Sequence, residues 1–185
     1  MRKWTFAQWT MAAGLVLAGA AGAQAQDAAP VSKPVKEIKV SLINSLGQPS
    51  GTAVLKQKKD GVQVKLSVEN MAFGEHGVHL HQNPVCEAPD FKTAGGHFNP
   101  EAKQHGFGNP MGHHDGDTPT NLSVGEDHRG TATWLLTALT LQPGAPNSLL
   151  SNGGTSIMVH EKADDMKTDP SGASGNRIAC GVVKP

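Results

Sequence analysis

The chain has 185 residues, a length that supports one domain with a hydrophobic core but is short for two. Its 16 basic residues are balanced by 16 acidic residues and form no basic stripe, so nucleic acid is not expected as a partner. The chain contains nine histidines but only two cysteines. Because histidine is the commonest metal ligand among side chains, the positions of these histidines carry most of the functional information.

The first 25 residues are predicted to be a signal peptide that is removed on export. Arg2 and Lys3 give a positive start, residues 11–20 form a short apolar run, and a small-x-small cleavage site ends at Ala25. The run is too short to span a bilayer, so no stable membrane anchor is expected, a short anchor being the alternative interpretation. Residues 26–36, with two prolines, are interpreted as a flexible lead-in to a domain over residues 37–185.

Export would place Cys86 and Cys180 in an oxidising compartment, where one disulfide between them is the simplest expectation. The bond would tie a loop in the middle of the chain to the C-terminal segment. On the loop-entropy model, closing a loop of this size stabilises the fold by about 4 to 5 kcal/mol. Two buried free thiols are the alternative.

Beyond the lead-in, the sequence has the alternation of a β protein. Over residues 62–69 apolar residues alternate with polar ones, which predicts a strand with one buried face, and Asp60-Gly61 before it is typical of a hairpin turn. Many short strands with glycine- and proline-rich turns indicate an antiparallel sandwich or barrel. The predicted strands cover residues 38–43, 51–57, 62–68, 77–81, 130–136, 156–160 and 178–183.

Residues 82–127 break this regularity, because they show almost no strand pattern and are rich in Gly, Pro, Asn and His. A stretch of that length without secondary structure in a compact domain is usually functional. Something other than a hydrophobic core must order it, and the two candidates are a disulfide and a metal ion.

His79 and His81 are separated by one residue within a predicted strand. Residues i and i+2 of a strand point to the same face, so both imidazoles project together while Leu80 faces the core. This arrangement could begin a metal site, but a lone H-x-H is weak evidence and a polar outer strand face is the alternative.

The loop adds three histidines and a carboxylate, His97, His105, His114 and Asp117, which form the N3O ligand set that zinc accepts. His160 ends an apolar run and is followed by carboxylates, which suits a metal ligand with hydrogen-bond acceptors nearby. A merely histidine-rich loop and a surface histidine are the alternatives at these positions.

Five blocks, taken in order, resemble those of the copper/zinc superoxide dismutases and extend across nearly all of the mature chain. The agreement of several independent blocks is far more specific than any one of them. The short gap between His81 and Cys86, together with the leader, is similar to the bacterial periplasmic branch. The blocks are residues 77–81 (GVHLH), 95–100 (GGHFNP), 114–117 (HDGD), 159–165 (VHEKADD) and 175–181 (GNRIACG).

The resemblance implies an all-β fold, an eight-stranded antiparallel Greek-key barrel or flattened sandwich with long metal-binding loops. It also implies a periplasmic enzyme that disproportionates superoxide to O2 and hydrogen peroxide in antioxidant defence. Copper and zinc are the implied cofactors and superoxide the implied substrate, and a homodimer is compatible with the family.

The resemblance also assigns site residues. Copper would be held by His79, His81, His97 and His160, and zinc by His97, His105, His114 and Asp117. His97 would be shared, with one ring nitrogen toward each metal, and could supply a proton during turnover. Asp164 would accept a hydrogen bond from one ligand of each metal, His79 and His105 being the expected pair. Arg177 would lie beside the copper and attract the anionic substrate, and Cys86 and Cys180 would form the family's disulfide.

Three histidines have no place in this ligand scheme: His76, His113 and His128. They are interpreted as surface or turn residues. His114 is preferred over its neighbour as the zinc ligand because only His114 has the H-x-G-D spacing to Asp117.

One departure from the family concerns the segment that guides the substrate. Residues 166–176 contain only Lys167 and Asp169 as charged residues, fewer than in animal members. Steering of superoxide is therefore assigned to Arg177, or to lysines elsewhere such as Lys92 and Lys103.

Two other classes of function compete with the enzyme. A non-catalytic periplasmic module for copper and zinc binding or delivery would be favoured by loss of a copper ligand or of the arginine. A structural or adhesive β-domain would be favoured by loss of zinc ligands. The sequence keeps all of these residues.

Overall fold

The structure, a computed structural model, describes Met1 and residues 34–185. The predicted signal peptide and most of the predicted lead-in lie outside the described residues and stay predictions. No helix in the described part of the chain is long and apolar enough to cross a membrane.

The described residues form an antiparallel sheet in which each strand pairs with its neighbours in the order β4-β6-β7-β3-β2-β1-β9-β8-β5. Two short 3-10 helices, Lys92–Ala94 and Ser151–Gly153, lie in the connections. The strands are β1 (Glu37–Asn44), β2 (Pro49–Lys58), β3 (Gly61–Glu69), β4 (Gly74–His76), β5 (Val78–His81), β6 (Leu122–Val124), β7 (Arg129–Leu136), β8 (Thr155–His160) and β9 (Arg177–Val183).

The sheet closes into a barrel because its first and last strands, β4 and β5, are separated in the chain only by Gly77. The Gly77 N–H donates to the Lys162 carbonyl (2.8 Å), and the Gly77 carbonyl accepts from the His160 N–H (2.9 Å). Counting β4 and β5 as one interrupted strand gives eight, and β3 pairs with β7 instead of β4, which is a Greek-key connection. The expected eight-stranded Greek-key barrel is confirmed.

The core follows from the alternation seen in the sequence. On β3 the apolar residues from Val62 to Val68 are all buried, and each stabilises the fold by roughly 1.5–3 kcal/mol. The β2–β3 hairpin pairs Lys58 with Gly61, as the turn residues predicted. Gly61 has φ +142°, and a Cβ there would lie 2.4 Å from the Leu136 carbonyl oxygen, so this turn requires glycine.

Strands β4 and β6 were missed at the sequence level, and β6 falls inside the region predicted to lack strands. Each is three residues long, too short for an alternating pattern to show. They form because each pairs with the other, and Val124 of β6 also pairs with Gly130 of β7.

The expected disulfide is present and joins Cys86 to Cys180 on β9. A small second core of Phe91, Ala94, Met158 and Cys180 lies beside it, all of it fully buried. The disulfide and this core order the first part of the irregular region and attach it to the strands that carry the histidines.

Candidate metal centre

β5 supplies the first two histidines of the centre, and all four of its residues are buried. Leu80 packs in the main core, and His79 and His81 lie on the other face with ring centroids 6.4 Å apart. His160 ends the neighbouring strand β8, and His97 forms an isolated bridge with His81. Rigid strand pairing therefore sets the positions of the histidines that the sequence singled out.

One ring nitrogen from each of four histidines forms the first cluster, in which every ligand atom lies within 4.8 Å of the others. Four ring nitrogens in this region are buried without a hydrogen-bond partner, which is costly unless a ligand satisfies them. They are His79 Nδ1, His81 Nε2, His97 Nε2 and His160 Nε2.

The opposite nitrogen of each ring has an acceptor. His79 Nε2 lies 2.7 Å from Asp164 Oδ2, His81 Nδ1 lies 2.9 Å from the Gly95 carbonyl, and His160 Nδ1 lies 3.4 Å from the Gly175 carbonyl. These contacts place the ring proton on the satisfied nitrogen and a lone pair on the unpartnered one. The donor set therefore fits a metal ion that prefers imidazole.

The second cluster surrounds Asp117 Oδ1. This oxygen lies 2.8 Å from His97 Nδ1, 3.1 Å from His105 Nδ1 and 3.3 Å from His114 Nδ1. The three nitrogens and the oxygen form the N3O set that zinc takes in tetrahedral sites. His79, His97, His105 and Asp117 also form a tight group, but Asp164 already binds His79 Nε2, and the free Nδ1 of His79 belongs with the first cluster.

Local backbone contacts hold Asp117 in place. Its Oδ2 accepts the N–H groups of Gly106 (2.9 Å) and His114 (3.1 Å), and its own N–H donates to the His114 carbonyl (3.1 Å). The H-x-G-D spacing seen in the sequence is the spacing of this turn.

Asp164 lies between the two clusters. Its Oδ2 lies 2.7 Å from His79 Nε2, and both of its oxygens lie 3.0 Å from His105 Nε2. Asn121 holds its backbone at both sides, through the Asp164 N–H (2.8 Å) and carbonyl (3.0 Å). The expected pair of contacts, to His79 and His105, is the pair that the structure contains.

Burial and charge set the protonation of the metal-free centre. Burial, reinforced by neighbouring histidines, lowers the pKa of His97 to about 3 and that of His160 to about 2. Burial also lowers the pKa of His79 and of His81. These rings are neutral at pH 7, which is the form that binds a metal.

The pKa values of the two carboxylates shift in the direction opposite to the effect of burial. Burial opposes ionisation of Asp117, but hydrogen bonds from His105, His114 and His97 outweigh it and hold its pKa well below the usual range. The same balance lowers the pKa of Asp164, through His105 and His79. Burial opposes the charged form of His105, yet both carboxylates raise its pKa to about 9.

Arg177 begins β9 at the side of the first cluster. Its Nη1 donates to the Phe91 carbonyl (2.7 Å) and its Nη2 to the Gly95 carbonyl (2.6 Å). It borders an open pocket of about 530 Å3 that His81, His97 and His160 also line. Of the described residues that line this pocket, only Arg177 has a permanent positive charge. A pocket of similar size, about 570 Å3, lies on β1–β3 and β7 and contains no histidine.

The lysines considered for steering do not line this pocket. Lys92 pairs with Asp90 (2.8 Å) and Lys103 with Glu101 (2.5 Å). Lys167 is exposed and lies outside the lining as well. Among the described residues that were considered for steering, only Arg177 therefore lines the pocket.

The three remaining histidines lie outside both clusters. His128 contacts the Met71 carbonyl (2.9 Å), as a turn residue would. His76 was expected at the surface or in a turn but is buried, with its ring between the carbonyls of Ala72 (2.9 Å) and His160 (2.8 Å). Sequence reasoning missed it because a histidine in so short a strand has no pattern of its own.

Some supports of the site could not be found from residue types. The Gly95 carbonyl is a backbone atom, and its role depends on how the loop folds. A Cβ at Gly172, which has φ +63°, would lie 1.7 Å from Asp164 Oδ1, so this glycine leaves room for the bridging carboxylate. Its conformation could not be read from neighbouring residues.

Comparisons with known proteins agree with this geometry. The family described as copper/zinc superoxide dismutase (SODC) matches residues 49–183. Copper/zinc superoxide dismutase 1 of Aquifex aeolicus (strain VF5) is 43% identical over 144 residues, covering 77% of this chain and 85% of that protein. The superoxide dismutase-like protein YojM of Bacillus subtilis (strain 168) is 40% identical over 146 residues, covering 78% of this chain and 74% of that protein.

A comparison with a solved structure places the chain in the same family by its fold. The crystal structure of a double mutant of a SOD-like protein from Bacillus subtilis superposes with a TM-score of 0.76 at 41% identity. The match covers 80% of this chain and 97% of that one. With most of its domain matched in sequence and in structure, the chain belongs to the copper/zinc superoxide dismutase family.

Proposed function

We propose that this chain is a periplasmic enzyme that disproportionates superoxide at a copper ion, which shares His97 with a zinc ion. The observation that carries the proposal is the position of His97 between the clusters. Its Nε2 is unpartnered beside the first cluster, and its Nδ1 lies 2.8 Å from Asp117 in the second.

Membership of the family makes the chain a superoxide dismutase with copper and zinc as its cofactors. The all-imidazole cluster of His79, His81, His97 and His160 suits copper, and the N3O cluster suits zinc. When bound, copper would supply the one-electron chemistry, by which one superoxide is oxidised to O2 and a second, taking up two protons, is reduced to hydrogen peroxide.

Arg177 binds and orients the substrate in this proposal. Its two hydrogen bonds to backbone carbonyls fix the guanidinium at the wall of the pocket, and its remaining N–H groups are free to meet a small anion. Since none of the lysines in residues 34–185 lines the pocket, we assign to this residue the local positive potential that attracts superoxide.

His97 holds a proton in this proposal. Its Nε2 borders the pocket and has no protein partner, so whenever it is not serving as a copper ligand it can carry a proton and donate it to the reduced product. Its other nitrogen stays fixed by the second cluster, which keeps the ring in one orientation.

The periplasmic location is supported by the predicted signal peptide and by the disulfide, since disulfides persist in oxidising compartments. In that location the enzyme serves antioxidant defence. A homodimer stays a prediction.

The deciding experiment follows superoxide decay by stopped flow, with the protein loaded with copper plus zinc or with zinc alone. Fast decay in the first sample only is expected. Equal rates in the two samples would contradict the proposal, because zinc has no accessible redox change. Arg177→Ala serves as the matched variant, since it should keep both metals and lose rate.

A module that binds or delivers metals without turnover is the second candidate. One observation favours it: a relative that is 40% identical is named superoxide dismutase-like. Tight binding of both metals with no acceleration of superoxide decay would support this candidate over the enzyme.

A further inference from the structure

His113 and Asp115 alternate in sequence with the ligands His114 and Asp117 but belong to neither cluster. Asp115 is only 2% exposed, and both of its carboxylate oxygens are buried without a hydrogen-bond partner among the described residues. A buried carboxylate is costly unless a cation or a set of donors compensates it.

Nearby protein cations do not fill this role. Lys103 attracts Asp115 electrostatically, but its ammonium is paired with Glu101 at 2.5 Å and donates no hydrogen bond to Asp115. Among the described residues, no protein cation therefore binds the Asp115 carboxylate directly.

The His113 ring is held in an orientation and tautomer that suit a metal ligand. Its ring stacks on Phe107, with centroids 3.6 Å apart and planes inclined by 17°, which fixes its orientation. Its Nδ1 donates to the His114 carbonyl at 2.7 Å, so the proton lies on Nδ1 and the lone pair on Nε2. Histidines that bind metals almost always donate their other N–H in this way.

His113 and Asp115 line the same small pocket, of about 120 Å3, whose other walls include Phe107, Pro119, Leu135 and the second-cluster residue Asp117. This volume is large enough for a cation together with several water molecules. The pocket is separate from the larger one beside Arg177, which neither residue lines.

We propose that this pocket binds a third metal ion, a divalent transition metal, through the Asp115 carboxylate and His113 Nε2, with water completing the coordination. Imidazole together with carboxylate suits Zn2+ and its neighbours, whereas Ca2+ and Mg2+ prefer oxygen ligands alone. The site shares no ligand with either cluster and does not depend on dismutase turnover.

The test uses protein already loaded with one copper and one zinc, dialysed to equilibrium against Zn2+ and analysed for bound metal. The wild type should bind one further zinc. Asp115→Asn and His113→Gln should each weaken that binding by roughly tenfold or more, while both retain the first two metals and their activity. Asp60→Asn, which removes a charge from the exposed β2–β3 turn, is the control and should bind the third zinc like wild type.

A wild type that stops at two metal ions would overturn the proposal, as would a third ion that both variants bind unchanged. If Asp115→Asn does not fold, His113→Gln decides, because this ring is only half-buried. A protein that binds three ions but does not turn over superoxide would overturn the proposed function and leave this inference standing.

Discussion

Arg177 and His81 donate to one carbonyl oxygen, that of Gly95, at 2.6 Å from Nη2 and 2.9 Å from Nδ1. One backbone atom thereby sets both the direction of a ring in the first cluster and the position of the guanidinium that meets the substrate. The second hydrogen bond of the guanidinium goes to the Phe91 carbonyl, in the segment attached by the disulfide. Substrate binding and metal binding therefore share a backbone support.

Arg177→Ala is expected to lower the rate of superoxide decay by about 10- to 100-fold and to reduce its dependence on salt, because it removes the one permanent positive charge that the described residues place in the pocket lining. Copper content should not change. Stopped-flow decay at several ionic strengths, with metal analysis, measures both. Lys65→Ala is the control, since Lys65 is exposed on β3 and does not line the pocket; an equal loss there would remove the special role of Arg177.

Asp164→Asn keeps the shape of the side chain but removes the charge that joins His79 to His105. We expect the affinity for both metals to fall by roughly 10- to 100-fold, because such partners orient the ligands. Competition with a chelator measures each affinity. The matched control is Asp165→Asn, whose carboxylate contacts only Lys167 and Thr168. Unchanged affinities in Asp164→Asn would show that the bridge is not needed.

Asp117→Ala removes one zinc ligand and leaves the N–H groups of Gly106 and His114 without their acceptor. Zinc affinity should fall on the order of 100-fold, and the thermal unfolding temperature should fall with it. Bound copper should change less. If zinc stays bound as tightly as before, the assignment of Asp117 is wrong, and Asp115 or His113 becomes the candidate.

The metal-free protein should lose stability as the pH falls from 6.5 toward 5. His97 and His160 have pKa values of about 3 and about 2 in the folded chain, against about 6.5 when unfolded. In this range only the unfolded chain binds those protons, so the free energy of unfolding falls by roughly 1 kcal/mol per pH unit for each ring. His105, with a folded pKa of about 9, is protonated in the folded chain throughout, so it partly opposes this slope near pH 6.5, where the unfolded ring still titrates, and adds almost none near pH 5.

Urea unfolding of chelator-treated protein at pH 7, 6 and 5 measures this slope. His160→Gln should reduce it by one ring's share, because glutamine does not titrate. A slope that is the same in wild type and variant would contradict the shifted pKa of His160.

Replacing Cys86 and Cys180 by alanine should lower the free energy of unfolding by about 2–5 kcal/mol. Activity should also fall, because the bond attaches the segment whose Phe91 carbonyl holds Arg177. Urea unfolding and superoxide decay measure the two effects. Reductant should reproduce them in the wild type and leave the double variant unchanged; a variant as stable as the wild type would contradict the expectation.

Much of the fold was predictable because long strands carry their own pattern. The apolar alternation over residues 62–68 of β3 is visible in one dimension, whereas β6 owes its existence to pairing with β4 and β7. Strand geometry indicated that His79 and His81 project together. The full ligand sets of the centre were implied by the resemblance of the five blocks to the family.

What could not be predicted depends on backbone atoms and burial. The shared Gly95 carbonyl has no side-chain signature. The burial of His76, and of Asp115 with both oxygens unpartnered, follows from how loops pack against the barrel. Residue type alone indicated a surface or turn position for His76 and gave no indication that Asp115 would be buried.

Strand β5 is paired on both sides, and its second partner is not a strand. Toward β8 it forms a regular ladder, whereas on the other side the Leu80 N–H donates to the Gly116 carbonyl and the Leu80 carbonyl accepts from the Phe98 N–H, both at 2.8 Å. The ligand-bearing loop thus covers an edge that could otherwise add a strand from another molecule. Metal binding would fix that loop through His97 and Asp117. It would then protect the chain from self-association in addition to providing the catalytic centre.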